Sequence, residues 1–120
     1  MKEPTTYALL IYRTGPLEPA PEEAERALDG HRALQRETAA KAELHAVAKL
    51  GGIQGAKTVR VQAGVHDITD GPYIDAKEWL VGFYLLDCKS EDEALARARV
   101  ICPVSDHAIE VRPVSWRWKP

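Results

Sequence analysis

Apolar and polar positions divide the chain into six extended runs and two helical ones. Tyr7-Ala8-Leu9-Leu10-Ile11-Tyr12 is apolar without alternation, the pattern of a strand covered on both faces. Arg13-Thr14-Gly15-Pro16 ends it, and Pro16, Pro19 and Pro21 stiffen the link that follows. Pro21 suits the first helical position, and Glu22 and Glu23 favour the positive end of a helix dipole. A helix is therefore predicted over residues 21–41. Its apolar stripe is Ala24, Ala27, Leu28, Leu34 and Ala42, with His31 three residues from each leucine and on the same side. Gly30 weakens this helix by about 1 kcal/mol.

Leu44, Ala46, Ala48 and Leu50 alternate with polar neighbours and predict a strand over 43–50, in spite of weak propensity. Gly51, Gly52 and Gly55 mark a loop. Residues 58–62 alternate cleanly, and Ala63-Gly64 turns them into 65–69, so the two runs predict a hairpin. Residues 79–87 form the longest strand. Ser90 and Glu93 make a capping box for a second helix, which turns Ala94, Leu95, Ala98 and Ile101 inward and stops before Pro103. The last strand, 108–114, runs into the tail Trp116-Arg117-Trp118.

The order β-α-β-(β-hairpin)-β-α-β over residues 1–120 predicts one α+β domain, a ferredoxin-like sandwich with both helices on one sheet face. Two helices cover one face only, yet the central strands are apolar on both. Leu80, Tyr84 and Leu86 are expected to point one way, and Val81, Phe83 and Leu85 the other. A bare apolar face of this size is rare on a monomer. The pattern therefore predicts a homodimer in which a partner sheet covers it.

A net charge of -2 gives no basic footprint for nucleic acid. No apolar run approaches the roughly 18 residues that span a bilayer, and the N-terminus has no signal-peptide pattern. Cys88 and Cys102, read as free buried thiols, fit a reducing compartment and a cytoplasmic location.

The chemistry concentrates in Asp70-Gly71-Pro72-Tyr73-Ile74-Asp75-Ala76-Lys77-Glu78, a loop ahead of the longest strand. His31 on the inner helix face and Asp70 on this loop are the candidate catalytic pair, the carboxylate orienting the imidazole and raising its basicity. The plainer alternative is a core histidine satisfied by backbone and a turn-forming aspartate. Tyr73, Asp75, Lys77 and Glu78 are the candidate substrate contacts. Neither His66-Asp67 nor Asp106-His107 has the spacing of a zinc site, and Gly51-Gly52 with Gly55 lacks the lysine of a phosphate loop. No metal and no nucleotide cofactor is expected.

Thr69-Asp70-Gly71-Pro72-Tyr73, Lys77-Glu78, Gly82-Phe83-Tyr84-Leu85-Leu86-Asp87, Glu93-Ala94-Leu95 and Ile109-Glu110-Val111-Arg112-Pro113-Val114 resemble, in order and spacing, the YCII-related proteins of the DGPF type. The resemblance is strong over residues 58–114 and looser before them. It implies a dimeric α+β barrel, in which two ferredoxin-like subunits pack sheet against sheet. It also implies a pocket between helices and sheet with a histidine and an aspartate as active groups. Tyr73 stands where the family has phenylalanine, Ile74-Asp75-Ala76 replaces a usual Ala-Glu-Thr, and Val81 replaces the first of a glycine pair. Some relatives are small-molecule lyases or dehydrochlorinases, and some members accompany sigma factors.

Two functional classes follow. One is a cofactor-free acid–base enzyme (a lyase, isomerase or dehydrochlorinase-like catalyst) acting on a small polar organic molecule. The other is a non-catalytic dimeric module that binds a metabolite or a protein, favoured by Trp116-Arg117-Trp118 because tryptophan and arginine are enriched at interfaces.

Overall fold

The computed structural model of the protein describes residues 3–14, 20–74, 78–102 and 107–120. Its elements are β1 (Thr5–Thr14), α1 (Pro21–Ala40), β2 (Leu44–Lys49), a 3-10 turn (Ile53–Gly55), β3 (Lys57–Gln62), β4 (Val65–Asp70), β5 (Glu78–Cys88), α2 (Glu91–Val100) and β6 (His107–Pro113). Strands β2-β5-β1-β6, in that order, form a four-stranded sheet, and every neighbouring pair is antiparallel. This is the ferredoxin-like α+β arrangement, with the strand after the Asp70–Pro72 turn at the centre as expected.

Leu9, Ile11, Tyr84, Leu86 and Cys88 on one sheet face pack with Leu34 of α1 and with Ala94, Ala98 and Ile101 at α2. Along the alternate positions Ala8, Leu10, Phe83 and Leu85 are only half-buried. The least dimension of the molecule is 22 Å. One sheet and one helix layer, each about 10 Å deep, account for that thickness, so among the described residues no third layer covers the open face.

Strict alternation along β5 breaks near its start. The β1–β5 register shifts between Ile11 and Tyr12, so Ile11 pairs with Gly82 but Tyr12 with Leu80. The extra residue, Val81, packs against the core, whereas Leu80 is exposed. The expected directions of Leu80 and Val81 are therefore exchanged, because a bulge resets the two-residue period. Gly82 sits at this shift, where a Cβ would lie 2.8 Å from the carbonyl oxygen of Ala48 on the neighbouring strand.

The inward stripe of α1 also differs from expectation. Leu34 and Thr38 are buried, and His31 and Gln35 are half-buried, while Leu28 is 46% exposed. Gly30 explains the rotation. A Cβ there would lie 2.2 Å from the carbonyl oxygen of Val100, so glycine lets α1 approach the end of α2. On α2 the capping serine behaves as expected, Ser90 Oγ accepting from the Glu93 amide at 3.1 Å. The Glu93 carboxylate reaches one residue further back than in a standard box, accepting from the Lys89 amide at 3.0 Å. Leu95 turns outward, and Arg97 takes an inward position instead.

β3 and β4 form a separate two-stranded sheet. Ala63 and Gly64, both with positive φ, make its tight turn. Val59, Val61, Val65 and Ile68 on this arm are all exposed.

Candidate functional site

His31 is carried on the inward side of α1, one turn before Gln35, and Tyr84 rises to meet both from the centre of β5. The Nδ1 atom of His31 is 2.7 Å from the Tyr84 hydroxyl, and Gln35 Nε2 donates to the same oxygen at 3.1 Å. The imidazole and phenol rings are parallel within 4°, with centroids 5.7 Å apart. One arrangement satisfies every hydrogen. Tyr84 accepts from Gln35 and donates its own proton to Nδ1, which leaves the imidazole proton on Nε2. Among the described residues Nε2 has no hydrogen-bond partner.

Burial holds the His31 pKa below its ordinary 6.5, and the charge of His107 adds to the effect. Burial also pushes the Tyr84 hydroxyl above its usual value, partly opposed by the Gln35 hydrogen bond. Both groups are thus neutral at neutral pH. In the other tautomer Nδ1–H donates to the Tyr84 oxygen, and the Tyr84 hydrogen turns away from the ring. Nε2 can therefore present an N–H or a lone pair, the requirement for a group that gives or takes a proton.

Asp70 is placed differently from His31. It ends β4, in the arm, with its side chain 90% exposed and bonded to Lys57 Nζ at 2.5 Å. Within one chain Nδ1 of His31 is met by Tyr84 and not by Asp70, and its pKa moves down, whereas a carboxylate partner would raise it. Tyr73 is exposed and its ring lies under the Arg60 guanidinium, 5.2 Å from the centroid. Glu78 belongs to an open depression of about 330 Å³ shared with Tyr12, Ala108, Ile109 and Glu110, a group that does not include His31. Asp75 and Lys77 lie outside the described residues. A second depression, of about 280 Å³, lies between the helices along Leu34, Glu37, Glu93 and Arg97.

Residues 5–119 match the YCII-related domain. The chain belongs to the YCII-related domain family. It is also 40% identical over 113 residues to an uncharacterised protein of Rhizobium meliloti (strain 1021), a match taking in 91% of each chain.

In this YCII-related protein the partners of His31 that sequence reasoning missed are Tyr84 and Gln35. Tyr84 was legible only as a core aromatic. A tyrosine at an inward strand position is nonetheless a signal, because a buried phenol needs a hydrogen-bond partner. Gln35, four residues after His31, was the polar residue on the same helix face. Cys88 is not an activated thiol: burial pushes its pKa up, in spite of the neighbouring Arg97. Among the described residues no three His, Cys, Asp or Glu side chains gather as a metal site, and no helix is long and apolar enough to cross a membrane.

Proposed function

We propose that this protein acts as a homodimer that binds a small polar organic molecule between α1 and the sheet and moves a proton to or from it at Nε2 of His31. No cofactor is needed for such a step, which is common to lyases, isomerases and dehydrochlorinase-like enzymes. The observation that carries this reading is the chain from Gln35 through the Tyr84 hydroxyl to Nδ1 of His31. It positions a neutral imidazole and keeps its distal nitrogen available. Nε2 takes a proton in the tautomer that carries the ring hydrogen at Nδ1, and the resulting cation keeps its Nδ1–H donated to the Tyr84 oxygen. The segment containing Asp70, Tyr73, Asp75, Lys77 and Glu78 supplies candidates for holding the polar end of the substrate. The half-buried Leu10, Phe83 and Leu85 of the open sheet face support a second copy packing there.

The exposed Asp70–Lys57 pair favours a second reading, a dimeric module that binds its ligand without reaction, because among the described residues it leaves His31 without a carboxylate partner. The two readings are separated by deuterium exchange. Small polar compounds that raise the melting temperature would be incubated with the protein in deuterated water. Exchange of a ligand C–H that disappears in His31→Gln supports proton transfer; binding with no exchange supports the module.

A further inference from the structure

We propose that Arg117 and His45 form a second ligand site, on the opposite sheet face from His31, that takes the carboxylate of a small organic monoanion. His45 stands at the register shift of β2 between Leu44 and Ala46, beside the paired residues Thr6 and Asp87. Asp87 Oδ1 accepts from Thr6 Oγ1 at 2.6 Å and from His45 Nε2 at 2.9 Å. Burial alone would raise the Asp87 carboxyl, but these two hydrogen bonds and the charges of His45 and Arg117 outweigh it and hold the carboxyl below its ordinary value. Asp87 is therefore ionised and fixes the ring of His45.

The C-terminal tail brings the cation. Val114 donates to the Thr6 carbonyl at 2.8 Å, which extends the β6–β1 pairing, and Arg117 then reaches to the far strand, 3.4 Å from Nε2 of His45. One ring nitrogen cannot donate and accept at once. Since Nε2 donates to Asp87, it offers Arg117 no lone pair, and among the described residues Arg117 makes no ion pair. A half-buried guanidinium with its fork of donors unused therefore sits beside an oriented imidazole.

Charge selects the ligand. Asp87 and Arg117 cancel, so the cluster has no surplus positive charge to hold a dianion. Thr6, the remaining group of the cluster, is uncharged. A carboxylate also matches the planar fork of arginine through two parallel hydrogen bonds. Trp116 and Trp118, 75% and 68% exposed, flank Arg117 and offer apolar rings to the body of the ligand. The pairs Thr6–Asp87 and Thr5–Cys88 end the β1–β5 ladder, so the cluster lies at the rim of the open face, clear of its centre. It does not depend on the His31 reading.

The test is a nitrogen-detected NMR titration of the full chain with sodium benzoate and sodium acetate, against inorganic phosphate and chloride at constant ionic strength. Benzoate is expected to give saturable shifts at the His45 ring and the Arg117 side chain, with the His31 ring unmoved. Arg117→Gln is expected to weaken binding by roughly tenfold or more, and Arg117→Lys, which keeps the charge without the fork, by less. Shifts that grow linearly without saturation, an equal response to chloride, a preference for phosphate, no effect of Arg117→Gln, or a response confined to His31 would each overturn the proposal.

Discussion

Nδ1 of His31 lies 2.7 Å from the hydroxyl of Tyr84, and the two rings stack in parallel although 53 positions separate them in the chain. The contact joins α1 to the central strand and also sets which nitrogen of the imidazole is free. Removing the hydroxyl therefore acts on stability and on the ring together. In Tyr84→Phe one net hydrogen bond is lost, about 0.5–1.5 kcal/mol, and the proton on the His31 ring is no longer directed to Nε2. Urea denaturation measures the first effect, and nitrogen shifts of the imidazole measure the second. An unchanged tautomer balance would show that Tyr84 does not orient the ring.

The lowered pKa of His31 has a direct consequence for stability. As the pH falls, the unfolded chain protonates this histidine near 6.5, before the folded protein does. The contribution of neutral His31 is thus complete above that pH and is lost progressively as the pH drops towards the lower folded value. His31→Gln is expected to flatten this acid limb in unfolding curves recorded across the mildly acidic range. A wild-type curve that rises with acidification there would reverse the assigned direction.

Gly30→Ala is expected to destabilise the protein, although alanine is the better helix former by about 1 kcal/mol. The added methyl meets the backbone oxygen of Val100, which cannot rotate away, and overpacking of this kind costs about 1–3 kcal/mol. The net loss is visible as a lower melting temperature. A rise would mean that the two helices separate without penalty.

Arg97 is 5% exposed and is held by Glu43 at 2.6 Å, by the Asp87 carbonyl at 2.8 Å and by the Cys88 sulfur at 3.4 Å. Arg97→Ala strands the carboxylate of Glu43, so a loss of about 3–5 kcal/mol is expected in urea. Arg97→Ala combined with Glu43→Gln is expected to cost less than the sum of the two single changes, which a double-mutant cycle measures directly.

Leu85→Glu places a charge at the middle of the open sheet face. If, as proposed, a second copy covers that face, light scattering of this variant is expected to show aggregation or unfolding rather than a clean monomer. A wild-type chain that is a folded monomer at micromolar concentration would remove the basis for the homodimer.

What the sequence determined by itself rests on local physics. Pro21, the Ser90–Glu93 cap and the Ala63-Gly64 turn each act within a few residues, and α1 and α2 begin and β3 turns into β4 where those signals place them, whereas β1 runs two residues beyond its apolar run at each end. The two-sided apolar character of β1 and β5 likewise announced central strands. Tertiary structure decided which way side chains turned once two elements met. The bulge at Val81 depends on the register between β1 and β5, and the rotation of α1 that exposes Leu28 depends on how closely Gly30 lets α2 approach. The partners of His31 were out of reach for the same reason. His31, Gln35 and Tyr84 are distant or unremarkable in the chain, and only the packing of α1 across β5 brings a phenol to the imidazole while the arm carries Asp70 out to Lys57.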